Sequence, residues 1–277
     1  MMLLLSNPDS ELFIKQLREE LPQAVLLQGV TGVGLYTTAA SVAGRDLAGV
    51  VRPTDVHGNL DTSDKGVIRV PQIRELIRQT RSKFTARQVI IVDDADKMNP
   101  QAQNAFLKLL EEPAPNVHFI LTSHHAQVLL PTILSRVQQV RIRPISTENS
   151  KRLIAKLGVD DARVIQQLLF LADGRPAELY RLVNDTSFFA AQIALITDAR
   201  TFIQGKIYER TMVVARYSSD RRQTLDLLTL AQSILHYSIK NNPSHQLIAT
   251  ADRLADTYDR IRANGNTRLQ LMNFVIQ

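Results

Sequence analysis

The chain reads as an α/β protein, with a parallel sheet in its first half and helices alone in its second. Three observations carry that reading. Short apolar, β-branched runs at Ala24 to Gln28, Val89 to Val92, Val117 to Leu121 and Val140 to Ile142 alternate with longer amphipathic stretches, the pattern of βαβ units. One amphipathic stretch is marked at both ends. Asn99 and Pro100 supply an N-cap and a first-turn proline, Ala102, Ala105, Phe106, Leu109 and Leu110 share a face, and Pro113 stops the helix. After Pro144 the strand signals vanish, and Ser146, Thr147 and Glu148 open a series of helical patterns that runs to the C-terminus.

These signals divide the chain into 1–144, an α/β domain, 145–184, a small helical domain, and 185–277, a C-terminal helical domain. The second boundary falls at Asn184 and Asp185, after a helical hairpin containing Asp173, Gly174, Arg175 and Pro176. The stretch from Gly44 to Gly66 is polar and rich in Gly, Asp and Pro, and reads as a loop with a short strand near Val56.

With 277 residues, 44% hydrophobic and 22% charged, the chain can bury a substantial core. Met1 to Leu5 is apolar but too short for a signal-peptide core, and no other segment approaches a membrane span. The absence of cysteine excludes disulfides and thiolate zinc sites and fits a cytoplasmic protein. The net charge of +6 points weakly to a polyanionic partner.

Directly after the first strand comes Gly29-Val30-Thr31-Gly32-Val33-Gly34-Leu35-Tyr36, followed by a helix-compatible segment from Thr37 to Ala43. A phosphate loop needs a strand, a glycine-rich turn whose N–H groups converge, and a helix N-terminus whose partial positive charge faces the anion. The glycine spacing is that of a P-loop. Leu35, however, stands where lysine contacts the β- and γ-phosphates, and Tyr36 stands where a small hydroxyl binds Mg²⁺. Loss of the lysine removes a charge-assisted contact worth roughly 1.5–3 kcal/mol, so hydrolysis fails first. Weak binding of ATP or ADP through backbone amides stays open, as does the plainer reading of a tight strand-to-helix turn.

The second constellation is Val89-Ile90-Ile91-Val92-Asp93-Asp94-Ala95-Asp96, a buried strand delivering acids at its C-terminal end. Asp93 takes the Mg²⁺-holding place of a Walker B segment, and Asp94 replaces the usual glutamate with a side chain one methylene shorter. The alternative is that these acids cap the next helix, which is the reading preferred for Asp96.

Further residues carry a family resemblance. Asn104-Ala105-Phe106-Leu107-Lys108-Leu109-Leu110-Glu111-Glu112-Pro113, then Phe119-Ile120-Leu121-Thr122-Ser123, then Leu134-Ser135-Arg136, resembles the AAA+ clamp-loader subunits in order and spacing. Gln72-Ile73-Arg74-Glu75-Leu76 resembles the helix before Walker B, and Asn266-Thr267-Arg268-Leu269 resembles the last helix of bacterial members. The resemblance implies a RecA-like AAA+ domain, a helical lid and an all-α collar domain, the last shorter here than in the family. It also implies that Arg136 acts in trans on the γ-phosphate held by a neighbouring subunit, and that Thr122 and Ser123 supply the polar sensor. Val137 replaces the family's cysteine, and Ala177 stands where a second sensor arginine belongs, with Arg175 out of register.

Loss of the lysine, the glutamate and the second sensor with retention of Arg136 is similar to the non-hydrolysing delta-prime type of bacterial DNA polymerase III subunit. On that reading no cofactor is required. The partners are motor subunits of the gamma/tau type, a delta-type subunit, a sliding clamp and primer-template DNA. The bacterial zinc module is not expected, since its cysteines are missing and His57, His118, His124, His125, His236 and His245 form no ligand set. Arg74, Arg78, Arg81 and Lys83 form a basic cluster that fits DNA phosphates, or equally an exposed helix face. Two other readings stay open: an active ATPase in which Lys65, Lys97 or Lys108 compensates for Leu35, and an adaptor for which Arg136 is dispensable.

Overall fold

Buried residues that alternate between the two faces of β1, β3 and β4 explain the architecture of the first part of the chain. The computed structural model describes residues 8–61, 65–80 and 84–276, so Met1 to Leu5, Arg81 and Lys83 lie outside the described residues. Five strands, β1 (Ala24–Gln28), β2 (Leu47–Val51), β3 (Gln88–Val92), β4 (Val117–Ser123) and β5 (Gln138–Arg141), form a parallel sheet in the order β2-β3-β4-β1-β5. Leu26, Ile90, Val92, Phe119 and Leu121 point to one face, where they meet α3 (Val70–Thr80) and α4 (Pro100–Glu111). Val25, Leu27, Val89, Ile91, Ile120 and Val140 point to the other, against α1 (Pro8–Glu19) and α2 (Leu35–Ala43). Both faces are covered, which is why Ala24 to Leu27 in β1, Val89 to Val92 in β3 and Phe119 to Leu121 in β4 are continuous apolar runs instead of alternating with polar residues.

The N-cap and proline at the start of α4 act as expected. Asn99 Oδ1 accepts from the Ala102 N–H at 2.8 Å, and Pro100 takes the first turn. Phe106 and Phe119 meet edge-to-face across this layer, with ring centroids 5.4 Å apart.

The segment read as a loop with a strand near Val56 is corrected. The strand lies earlier, at β2, and Val56 sits in an exposed turn beyond it. β2 is an edge strand whose residues are only half covered, and its register shifts between Leu47 and Gly49, so its sequence lacks a continuous apolar run. Other boundaries also move: α2 begins at Leu35, before Thr37, β3 begins at Gln88, β4 runs on to Ser123 and β5 spans Gln138–Arg141.

A four-residue helix α5 (Pro131–Leu134) precedes β5, and after it come α6 (Thr147–Lys156), α7 (Ala162–Ala172) and α8 (Pro176–Asn184). Ser146 caps α6 through the Asn149 N–H, and Asp161 caps α7 through the N–H groups of Arg163 and Val164. The chain divides into two compact units, 1–184 and 185–277.

The second unit contains α9 (Thr186–Gln204), α10 (Ile207–Tyr217), α11 (Arg221–Asn241), α12 (His245–Arg262) and α13 (Thr267–Ile276). Asp185, Asp220 and Ser244 cap α9, α11 and α12 through their side chains, and Asn266 accepts from the Leu269 N–H at the head of α13. Phe202 and Phe274 stack in its core with centroids 4.9 Å apart. Among the described residues no helix is long and apolar enough to cross a membrane.

Candidate functional site

The C-terminal ends of β1, β3 and β4 converge on one place, where ligands of open α/β sheets bind. The turn after β1 is tightly specified. A Cβ on Gly29 would lie 2.6 Å from the Ile142 carbonyl, and Gly32 and Gly34 both take φ of +88°, a left-handed conformation that glycine adopts without strain. Gly34 leads directly into α2.

The next two residues are committed to packing. Leu35 is 3% exposed and belongs to the core beneath the sheet, with its Cδ2 at 3.4 Å from where a Gly29 Cβ would sit. Tyr36 packs against the same core, and the Arg52 guanidinium lies 4.2 Å from its ring centroid. Arg52 is the residue after β2, and the Asp93 N–H donates to the Val51 carbonyl at 2.9 Å, so strand register itself sets Arg52 beside Asp93. The Arg52 Nε lies 3.4 Å from Asp93 Oδ2.

Every carboxylate oxygen of the acidic pair has a neighbour. Asp93 Oδ1 accepts from the Thr122 hydroxyl at 2.8 Å, and that hydroxyl oxygen accepts from the Asp94 N–H at 2.9 Å. Burial pushes the Asp93 carboxyl up from its usual value, the Thr122 hydrogen bond opposes this, Asp94 reinforces it and Arg52 opposes it. Asp94 stands at φ +53° and faces Lys97 Nζ at 3.3 Å and His124 Nε2 at 3.6 Å. His124 Nδ1 in turn lies 2.8 Å from the Gly29 carbonyl, bridging loop and acids. Ser123 is fully buried; its carbonyl accepts from the Gly29 N–H and its hydroxyl oxygen from the His125 N–H.

The expected helix-capping role of Asp96 is corrected: its carboxylate accepts from the His124 N–H at 3.3 Å, fastening the end of β3 to the end of β4. Lys108 is exposed on α4, and Lys97 faces Asp94.

The helical hairpin closes over the loop. The Gly32 carbonyl accepts from the N–H groups of both Ala177 and Glu178, at 2.9 and 3.1 Å, at the start of α8. These are two of the four N–H groups that a helix start leaves without intrahelical partners. The Arg175 guanidinium donates to the Ala172 and Leu171 carbonyls at 2.8 and 2.7 Å and caps α7.

Arg136 lies apart from this cluster, exposed just beyond α5, where its guanidinium donates to the Thr132 carbonyl at 3.0 Å and faces Glu111 at 3.0 Å. Arg74 and Arg78 lie on α3, with Arg78 paired to Glu75. Sequence reasoning missed Arg52 because it missed β2, and it set His124 aside as one of several scattered histidines.

A family model described as DNA polymerase III, delta subunit matches residues 50–146. DNA polymerase III subunit delta' of Pseudomonas aeruginosa is 39% identical over 119 residues, which are 42% of this chain and 36% of that protein. The Replication factor C small subunit of Thermococcus kodakarensis is 25% identical over 266 residues, 87% of this chain and 30% of that protein. The matches thus span about a third of the length of each of these two relatives. Among solved structures, a DNA polymerase III gamma subunit-related protein from Thermotoga maritima superposes with a TM-score of 0.54 at 19% identity, covering 96% of this chain and 97% of that one, which establishes a shared fold. The chain thus shares its overall fold with the gamma subunit-related protein, and its residues 50–146 are similar to the family described as DNA polymerase III, delta subunit.

Proposed function

We propose that this chain is a non-hydrolysing, delta-prime-like subunit of the DNA polymerase III sliding-clamp loader, which lends Arg136 to ATP held by a neighbouring motor subunit. The observation that carries the reading is Leu35. At the position of the phosphate-gripping lysine stands an aliphatic side chain committed to the core, which offers no charge to a γ-phosphate. Arg136 has the opposite character, being exposed and near the end of a short helix braced by Pro131. An always-charged planar guanidinium presented from the surface suits stabilisation of phosphoryl-transfer charge in another subunit.

In this reading the motor subunits are of the gamma/tau type, a delta-type subunit completes the assembly, and the clamp is closed on primer-template DNA. Arg74 and Arg78, with Arg81 and Lys83 beyond α3, offer backbone-phosphate contacts that carry no sequence information. Any ATP or ADP held by this chain binds weakly, through loop amides, and no zinc takes part.

The test is DNA-stimulated ATP hydrolysis by the purified chain alone and by the reconstituted loader. The expected result is no turnover alone and full turnover in the assembly. Hydrolysis by the isolated chain favours instead an active ATPase with a compensated loop.

A further inference from the structure

The family's ATP sites use Mg²⁺, held between a small hydroxyl after the loop and the first acid of Walker B, and the residues present here do not fit it. Tyr36 replaces the hydroxyl with a phenol whose ring is stacked under Arg52. Asp93 is engaged at both oxygens, one by the Thr122 hydroxyl at 2.8 Å and the other by the Arg52 guanidinium at 3.4 Å. Mg²⁺ demands near-ideal octahedral oxygen geometry and sheds its waters reluctantly, so it competes poorly for a carboxylate that already has a fixed cation.

We infer that the Arg52 guanidinium stands in for the divalent cation on Asp93, making the phosphate-loop end of this sheet a metal-free site. The placement follows from backbone as well as side chain. Val51 and Val92 are register partners of the parallel pair β2 and β3, and the residues that follow them are Arg52 and Asp93. Any long cation at position 52 therefore starts beside the acid. Arginine suits the role better than lysine: it never loses its charge, and its flat face stacks on Tyr36 while its edge meets the carboxylate. Tyr36 and Arg52 are thus one replacement, the phenol removing a metal ligand and supplying the platform for the cation that takes the metal's place. Asp93 is retained because it neutralises Arg52, a role that does not require it to serve catalysis.

The inference rests on reading this loop as a nucleotide site that has lost hydrolysis, and its test is independent of turnover. Mn²⁺ alone, the probe in place of Mg²⁺, is titrated into the full-length chain and followed by electron paramagnetic resonance. The wild-type chain is expected to leave Mn²⁺ free, and Arg52→Ala to bind one equivalent at least about tenfold more tightly. Adding Asp93→Asn to that variant is expected to abolish the gain. Arg52→Gln, which keeps most of the stem over Tyr36 but removes the charge, provides the same comparison if the alanine variant folds poorly. Equal Mn²⁺ binding by wild type and variants, or no gain in either variant, overturns the inference. ATP turnover by the isolated chain would instead overturn the non-hydrolysing reading on which it rests.

Discussion

The guanidinium of Arg136 lies 3.0 Å from the Glu111 carboxylate, linking the segment after α5 to the last turn of α4. Both side chains are well exposed, at 38% and 49%, so solvent screens the pair and its contribution to stability is small, about 0–1 kcal/mol. Glu111 therefore holds Arg136 loosely in the free chain, which leaves the guanidinium available for the role proposed for it. Glu111→Gln is predicted to leave the denaturation midpoint nearly unchanged and to leave ATP turnover of the reconstituted loader undiminished. A loss of turnover comparable to that of Arg136→Ala would show that Glu111 positions the arginine for its work.

Closure of the helical hairpin on the loop is testable at Gly32. A Cβ there would lie 2.9 Å from the Glu178 Cβ, on a residue whose φ is +88°. Gly158 has a similar φ of +77° but open space around it. Gly32→Ala is predicted to cost more in chemical denaturation than Gly158→Ala, whose penalty is the backbone strain alone, about 1 kcal/mol. Equal costs would mean that α8 yields freely at the loop.

Packing between the sheet and α4 depends on Phe106, which is fully buried and meets Phe119 edge-to-face. Phe106→Ala removes that contact and leaves a cavity, with a predicted loss of about 3–5 kcal/mol in urea denaturation. A loss below about 1 kcal/mol would contradict the close packing of this layer.

In the second unit, the Tyr217 hydroxyl donates to Asp198 at 2.8 Å, and Arg216 Nη1 donates to the same carboxylate at 2.7 Å. Burial and then the bond to Asp198 raise the Tyr217 pKa from 10.0 to about 12. A raised folded-state value means that the stabilising contribution is complete below pH 10 and is lost as pH climbs towards about 12. Thermal melts between those limits should show a decline that Tyr217→Phe reduces.

The sheet core was legible because strands buried on both faces carry continuous apolar runs, as Ala24 to Leu27, Val89 to Val92 and Phe119 to Leu121 do in β1, β3 and β4. The cap at Asn99 and the break after Pro144 were legible because local backbone chemistry dictates them. β2 was not, because an edge strand with Gly49 and half-exposed positions leaves no periodic signal. With β2 went Arg52, whose meaning depends on parallel pairing with β3, a strand distant in the sequence. Likewise His124 and Asp96 act across the gap between two strand ends, a relationship that no linear spacing reveals. Leu35 and Tyr36 were visible as substitutions, but their destination in the core is a property of the fold.

The most direct test of the central claim is ATP hydrolysis at the motor site adjoining this chain in a reconstituted loader carrying Arg136→Ala. An arginine supplied in trans is worth roughly 10³-fold or more in turnover, so hydrolysis at that one site should nearly cease while assembly of the complex is unaffected. Full turnover with Arg136→Ala would contradict the claim and leave the chain as an adaptor that keeps the fold without acting on a neighbour's ATP.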